Sequence, residues 1–136
     1  MKRQATAVWK GNIKDGSGKL SSQSGTLKQT PYTFKSRFEE GSETNPEELI
    51  AASHAGCFAM QLSAFLTEED YEPERLEAKG EVTLENGSLT LSHITLTAKI
   101  DKIELGTFEE LVQKAKTNCP ISKALDTEIK VDATLI

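Results

Sequence analysis

The sequence predicts an α+β fold in which a mostly antiparallel sheet packs against one long central helix. Short segments with apolar residues at alternate positions fill the N-terminal third and return after Pro73, as in half-buried strands. Residues 45–66 form one long apolar stretch that opens with helix-start residues. At 136 residues, the chain has the length of one domain, which we place at residues 1–136.

Composition and charge exclude several classes of protein. Apolar residues make up 37% of the chain and charged residues 27%, which excludes general disorder. The net charge is −5 without a block of either sign, so no surface is typical of phosphate binding, and we expect no nucleic-acid partner. The first residues lack the apolar run of a secretory signal, so we expect a cytoplasmic protein.

Three strands are predicted before the long helix. Residues 5–9 and 20–27 alternate apolar and polar side chains, and the glycine-rich residues 15–18 suit the turn of a hairpin between them. In residues 32–38 the same alternation predicts a third strand, with the aromatic side chains on one face and Arg37 on the other.

The long helix has an explicit start. Asn45 can cap it, Pro46 suits its first position, and Glu48 completes a capping box. Its apolar residues go nearly all round the helix, so it needs cover on most sides, and a partner subunit would supply that cover. Polar residues inside the stretch and acids at both ends argue against a membrane span.

The C-terminal half returns to strands. Residues 76–84 and 89–100 flank Asn86-Gly87, a strong hairpin signature, and a shift of apolar phase predicts a bulge near Ser92-His93. A second capping box at residues 107–110 predicts a helix that ends by Asn118. Alternation over residues 129–135 predicts the closing strand.

The two cysteines are the main candidates for chemistry. Cys57 lies in the middle of the apolar helix, where a cysteine taken by itself is more often one that only packs in the core. Cys119 precedes Pro120, and if Pro120 opens a short helix, Cys119 is its N-cap, a position that favours the thiolate. A packed cysteine before a turn is the alternative for Cys119.

Arg37 and Glu47 are candidates for a site that activates a thiol. A buried thiolate needs a nearby cation, and an arginine fork can hold a carboxylate and a second anion together. The alternatives are an outward strand residue for Arg37 and a helix-dipole acid for Glu47. Ten residues of helix rise about 15 Å, so Glu47 and Cys57 can share a site only if one comes from another chain. This again indicates a dimer.

A metal centre is a third possibility. His54 and Cys57 share one helix face, and Cys119 and His93 would complete a two-cysteine, two-histidine set. The spacing differs from that of compact zinc motifs, so we expect no metal ligand, and His54 is interpreted as a packed or hydrogen-bonding neighbour of the site.

Two segments carry a resemblance to a known family. TNPEELIAASHAGCFAM (residues 44–60) and NCPISKAL (residues 118–125) closely resemble the OsmC/Ohr family, the osmotically inducible and organic hydroperoxide resistance proteins. The resemblance covers essentially the whole chain. The region before Arg37 and the His-Ala-Gly-Cys form of the helix look more like the OsmC branch.

The resemblance implies an enzyme, a thiol-dependent peroxidase that reduces organic hydroperoxides to alcohols. Cys57 would attack the peroxide and Cys119 would resolve the sulfenic acid as a disulfide, with Arg37 and Glu47 as the activating pair. It further implies an intertwined homodimer with shared active sites, a dithiol reductant, possibly of lipoyl type, and no cofactor. An apolar pocket near Phe58 and Met60 would favour bulky organic peroxides over hydrogen peroxide.

A function of a different class stays open on the sequence. It is a non-catalytic dimer that binds a small ligand or acts in a stress response, with both cysteines merely buried.

Overall fold

The computed structural model describes residues 1–40 and 42–136. Its contacts divide the chain into two compact units, residues 1–49 (unit 1) and residues 50–136 (unit 2). Each unit is described by itself.

Unit 1 contains an antiparallel sheet of order β1-β2-β3, formed by β1 (Ala5–Lys10), β2 (Ser17–Ser22) and β3 (Thr30–Tyr32). The predicted hairpin is confirmed, but β2 begins at Ser17, inside the predicted turn. The reason is an earlier turn around Asn12, whose side chain accepts the backbone N–H of Asp15 at 2.7 Å.

The predicted strand over residues 32–38 is wrong. β3 ends at Tyr32, and a single 3₁₀ turn spans Lys35–Arg37. The Thr33 N–H donates to Ser36 Oγ at 3.1 Å, and the Ser36 N–H donates to Thr33 Oγ1 at 3.2 Å. These local hydrogen bonds use the backbone N–H groups of Thr33 and Ser36, which a strand would need for its ladder. They outweigh the alternation of the side chains.

The long helix is α1 (Pro46–Glu68), of which residues 46–49 belong to unit 1. The predicted cap by Asn45 is confirmed, since the Glu48 N–H donates to Asn45 Oδ1 at 2.7 Å, but the Glu48 carboxylate accepts from Thr44 Oγ1 at 2.8 Å instead of completing a capping box. Only one stripe of the helix is buried, although apolar residues go nearly all round it; the buried side chains are His54, Phe58, Leu62, Phe65 and Leu66. Met60 is 76% exposed, so the single chain leaves part of the apolar surface of α1 open.

Length and composition would let α1 cross a membrane, with a mean hydropathy of 1.5 in its most apolar window. The core helix of a soluble protein meets the same criterion, and 28% of that window is buried inside the molecule. The buried stripe of α1 lies in the core of unit 2.

Unit 2 is built on a hairpin of β4 (Pro73–Glu85) and β5 (Ser88–Ile100). Asn86 and Gly87 form its turn with φ of 50° and 78°, which confirms the predicted hairpin. The bulge predicted near Ser92-His93 is present on β5 but lies slightly earlier in the strand. Thr83 pairs with Leu91 and Leu84 with Leu89, so the extra residue of β5 is Thr90, two positions before Ser92, and Ser92 itself pairs regularly on the inward face.

The chain then forms α2 (Leu105–Asn118), α3 (Pro120–Ala124) and β6 (Glu128–Leu135), which pairs parallel to β5. The capping box predicted at residues 107–110 does not start α2, because the helix already begins at Leu105 after Glu104. The inward faces of α1, α2 and the sheet form one core, and the α+β architecture is confirmed.

Candidate active site

The two cysteines of unit 2 meet in space. The Cys119 thiol donates to Cys57 Sγ across 2.8 Å, and both cysteines are free. A disulfide requires a separation of about 2.05 Å, so a shift of less than 1 Å would join the two sulfurs. Cys57 is half-buried, whereas Cys119 is completely buried.

Cys119 is held at the junction of two helices. Its backbone N–H donates to Ala115 O at 2.9 Å and closes α2, while its carbonyl accepts the Lys123 N–H at 3.0 Å and opens α3. Pro120 occupies the first position of α3, which confirms the predicted N-cap position of Cys119. The direct turn from one helix into the next points the Cys119 side chain at α1.

Unit 2 by itself does not favour the Cys57 thiolate. Burial raises the pKa of Cys57, and the hydrogen bond with Cys119, together with the smaller repulsion between two adjacent thiolates, raises this pKa further. The backbone N–H of Ile121, in the first turn of α3, lowers the pKa, but the net effect is an increase. Ionisation of Cys57 near neutral pH therefore needs a further positive charge.

A shallow cavity of about 560 Å³ opens beside Cys57. Met60 and Ala64 of α1, together with Pro120 and Ile121 of α3, give it a mostly apolar lining. A small organic molecule in this cavity would lie against the Cys57 side chain.

His54 lies one turn before Cys57 on α1 and is completely buried. Its Nδ1 is bonded to Ser92 Oγ at 2.5 Å and its Nε2 to Ser122 Oγ at 2.7 Å. Burial lowers the pKa of His54, which keeps the imidazole neutral. Both hydroxyls can donate or accept, so either neutral tautomer is satisfied.

Arg37 and Glu47 are paired in unit 1. Arg37 Nε donates to both carboxylate oxygens of Glu47, at 3.1 and 3.2 Å, and Nη2 donates to Oε1 at 2.5 Å. The hydrogen bond to Glu47 raises the pKa of Arg37. Burial opposes ionisation of Glu47, but the hydrogen bonds and the charge of Arg37 hold the pKa of its carboxyl below the usual value.

The four predicted site residues thus form two pairs, one in each unit, Arg37 with Glu47 and Cys57 with Cys119. Among the described residues, no cluster of three or more histidine, cysteine or acidic side chains could hold a metal. His93, a candidate ligand on the sequence, forms a hydrogen bond with Asp132 at 2.8 Å.

Sequence reasoning missed two serines and one backbone group, namely Ser92, Ser122 and the Ile121 N–H. Ser92 falls in phase with the apolar side chains of the inward face of β5. A polar residue in such an apolar row is the sequence signal that could have indicated a buried hydrogen bond. Nothing in the sequence around Ser122 indicated a contact with His54, which lies 68 positions away.

Known proteins match this chain over most of its length. Residues 39–134 match the family described as OsmC-like protein. Peroxiredoxin OsmC of Escherichia coli is 40% identical over 137 residues, covering 98% of this chain and 96% of that protein. Organic hydroperoxide resistance protein OhrA of Bacillus subtilis is 38% identical over 102 residues, covering 68% of this chain and 65% of that protein.

Solved structures agree with these sequence matches. The crystal structure of the organic hydroperoxide resistance protein OhrB of Bacillus subtilis superposes with a TM-score of 0.69 at 26% identity, over 96% of this chain and 98% of that one. An OsmC-like protein of Vibrio cholerae reaches a TM-score of 0.79 at 15% identity, over 98% and 99%, which is a likeness of fold. The names of the relatives support a peroxide-related stress function, and the chain belongs to the OsmC-like family.

Proposed function

We propose that the protein is a cysteine-based peroxidase that reduces organic hydroperoxides to alcohols. The observation that carries the proposal is the 2.8 Å contact between two free sulfurs that lie 62 positions apart in the chain. Cysteines that only fill space have no reason to meet at that distance, whereas a peroxide-attacking thiol and its resolving partner must do so.

The reaction balances in three steps. The Cys57 thiolate attacks the distal oxygen of the hydroperoxide and the O–O bond breaks, which leaves Cys57 as a sulfenic acid and releases an alkoxide that takes a proton to become the alcohol. The Cys119 thiol then displaces hydroxide from the Cys57 sulfenic acid, giving a disulfide and water. A dithiol, which we propose to be of lipoyl type, reduces this disulfide by exchange and becomes a disulfide itself.

Arg37 is the cation that we assign to the Cys57 thiolate. Glu47 occupies Nε and Nη2 of the guanidinium, and within the described residues Nη1 makes no hydrogen bond and is available to a second anion. Because the helix separates Glu47 from Cys57 by ten residues in sequence, we assign the two pairs of one site to different subunits of a homodimer. The open apolar face of α1, with Met60 exposed, supports a second copy there.

The substrate preference follows from the cavity beside Cys57. Its mostly apolar lining would retain the alkyl group of an organic hydroperoxide, while hydrogen peroxide would gain nothing from it. The whole chain, residues 1–136, would act as one domain of this dimer.

Thiol titration with and without one equivalent of cumene hydroperoxide tests the proposal. We expect rapid loss of both thiols in each chain and an intramolecular disulfide between Cys57 and Cys119 in the mass spectrum. In Cys119→Ser, the Cys57 sulfenic acid should accumulate and react with dimedone. Two thiols that stay unreactive would instead identify a non-catalytic binding or stress-response protein.

The role of Arg37 is tested separately. Arg37→Ala should move the pH profile of Cys57 alkylation to higher pH and slow oxidation by the hydroperoxide. Arg75→Ala is the matched control, because Arg75 forms an exposed ion pair with Glu77 on β4. Equal oxidation rates for the two variants would remove Arg37 from the mechanism.

A further inference from the structure

His54 is a completely buried polar side chain to which the peroxidase steps give no role. Both of its ring nitrogens are used, by Ser92 on β5 and by Ser122 on α3. A buried imidazole that loses one of these partners would keep an unsatisfied nitrogen, which is costly in an apolar interior. The two hydroxyls therefore hold His54 in place, and His54 in turn connects α3 to the sheet.

The short helix α3 controls the surroundings of Cys57 through two other groups. Cys119 is its N-cap and supplies the second sulfur, and the backbone N–H of Ile121 lowers the pKa of Cys57. A helix of five residues has little intrinsic stability, so its position depends on contacts with its neighbours. The bond between Ser122 and His54 is one such contact, and it lies within one turn of both groups.

We propose that His54 is a positioning residue, which anchors α3 through Ser122 and thereby holds Cys119 Sγ against the Cys57 sulfur. His54 acts only through α3 and touches neither the substrate nor the oxidised oxygen. Its importance for turnover rests on the proposed peroxidase function, but its effect on the two sulfurs does not. The anchor can therefore be measured without any peroxide.

The first measurement is the equilibrium with glutathione. One glutathione disulfide oxidises the Cys57–Cys119 pair and yields two glutathione thiols, so the equilibrium constant gives the effective concentration of one protein thiol at the other. Ser122→Ala should lower that effective concentration about tenfold, because one buried hydrogen bond of His54 is lost. Ser122→Thr keeps the hydroxyl and should restore most of the loss. Ser63→Ala, a half-buried serine further along α1, is the control and should match the unaltered protein.

The second measurement is the pH profile of Cys57 alkylation. In Ser122→Ala the backbone N–H of Ile121 should lower the pKa of Cys57 less, so the profile should move to higher pH, and Ser122→Thr should restore it. A loss of stability alone, with α3 still in place, would leave this profile where it is. His54→Phe keeps a ring but no hydrogen bond. If circular dichroism shows that this variant is folded, its alkylation profile should move to higher pH at least as far as that of Ser122→Ala.

The outcomes separate this inference from the proposed function. An effective concentration that changes by less than about twofold in Ser122→Ala would overturn the inference, and so would an equal loss in Ser63→Ala or no rescue by Ser122→Thr. If the unaltered protein ignores cumene hydroperoxide while the glutathione and alkylation results hold, the peroxidase proposal fails and the anchor stands. If the hydroperoxide is reduced but neither the effective concentration nor the alkylation profile changes in the variants, the peroxidase proposal stands and the anchor fails.

Discussion

The close approach of α1 to β4 depends on one glycine. A Cβ atom at Gly80 would lie 2.5 Å from the carbonyl oxygen of Ala51 and 3.3 Å from Cβ of Ala55. An ordinary contact is at least 3.4 Å, so Gly80→Ala must open the gap between helix and strand by about 0.9 Å. Overpacking of this kind costs about 1–3 kcal/mol, and the lower entropy of the unfolded alanine chain offsets about 0.4–1 kcal/mol.

We therefore expect Gly80→Ala to lose about 1–2 kcal/mol of unfolding free energy and about 4–8 °C of melting temperature. Urea denaturation followed by circular dichroism measures the first, and a thermal scan measures the second. Gly106→Ala on α2 is the control, since a Cβ there meets nothing within 4 Å, and it should be neutral or slightly stabilising. If Gly80→Ala is as stable as the unaltered protein while the control behaves as expected, the packing argument is refuted.

Three further predictions concern stability. Asn45→Ala should lower the urea midpoint by an amount equivalent to about 1 kcal/mol because α1 loses its cap, whereas Asn45→Asp should lose little. Leu62→Ala should cost about 2–5 kcal/mol in the same assay because Leu62 is completely buried, and a smaller loss would mean that the site collapses around the cavity. Because burial lowers the pKa of His54, the unfolded chain takes up a proton that the folded chain does not, so stability should be complete above about pH 6.5 and fall below it. In His54→Gln the urea midpoint should depend less on pH in that range. A pH dependence identical to that of the unaltered protein would contradict a neutral His54.

Local chemistry accounts for the parts of the fold that were predicted well. The cap by Asn45, the turn at Asn86-Gly87 and the break at Cys119-Pro120 each depend on residues within one turn of each other. Such features are decided by side-chain hydrogen bonds and allowed backbone angles, and both can be read from a few neighbouring residues.

The predictions that failed concern segments where a hydrogen bond competes with the alternating pattern of apolar side chains. Residues 32–38 alternate like a strand, but Thr33 and Ser36 bond each other's backbone and turn the chain. The phase change before Ile94 predicts a bulge at Ser92-His93, but the extra residue of β5 is Thr90, and Ser92 pairs regularly and is buried against His54. In both cases a specific hydrogen bond outweighs the hydrophobic pattern.

The sequence by itself determines the succession of strands and helices, the start of α1 and the presence of two thiols, one inside the long helix and one at a helix terminus. Only the tertiary structure decides that Cys57 and Cys119 come within 2.8 Å of each other and that His54 bonds serines on two other elements. Composition and periodicity describe which side of an element is apolar. Which polar groups meet inside the core depends on how far each helix slides over the sheet, and that is settled by packing across the whole chain.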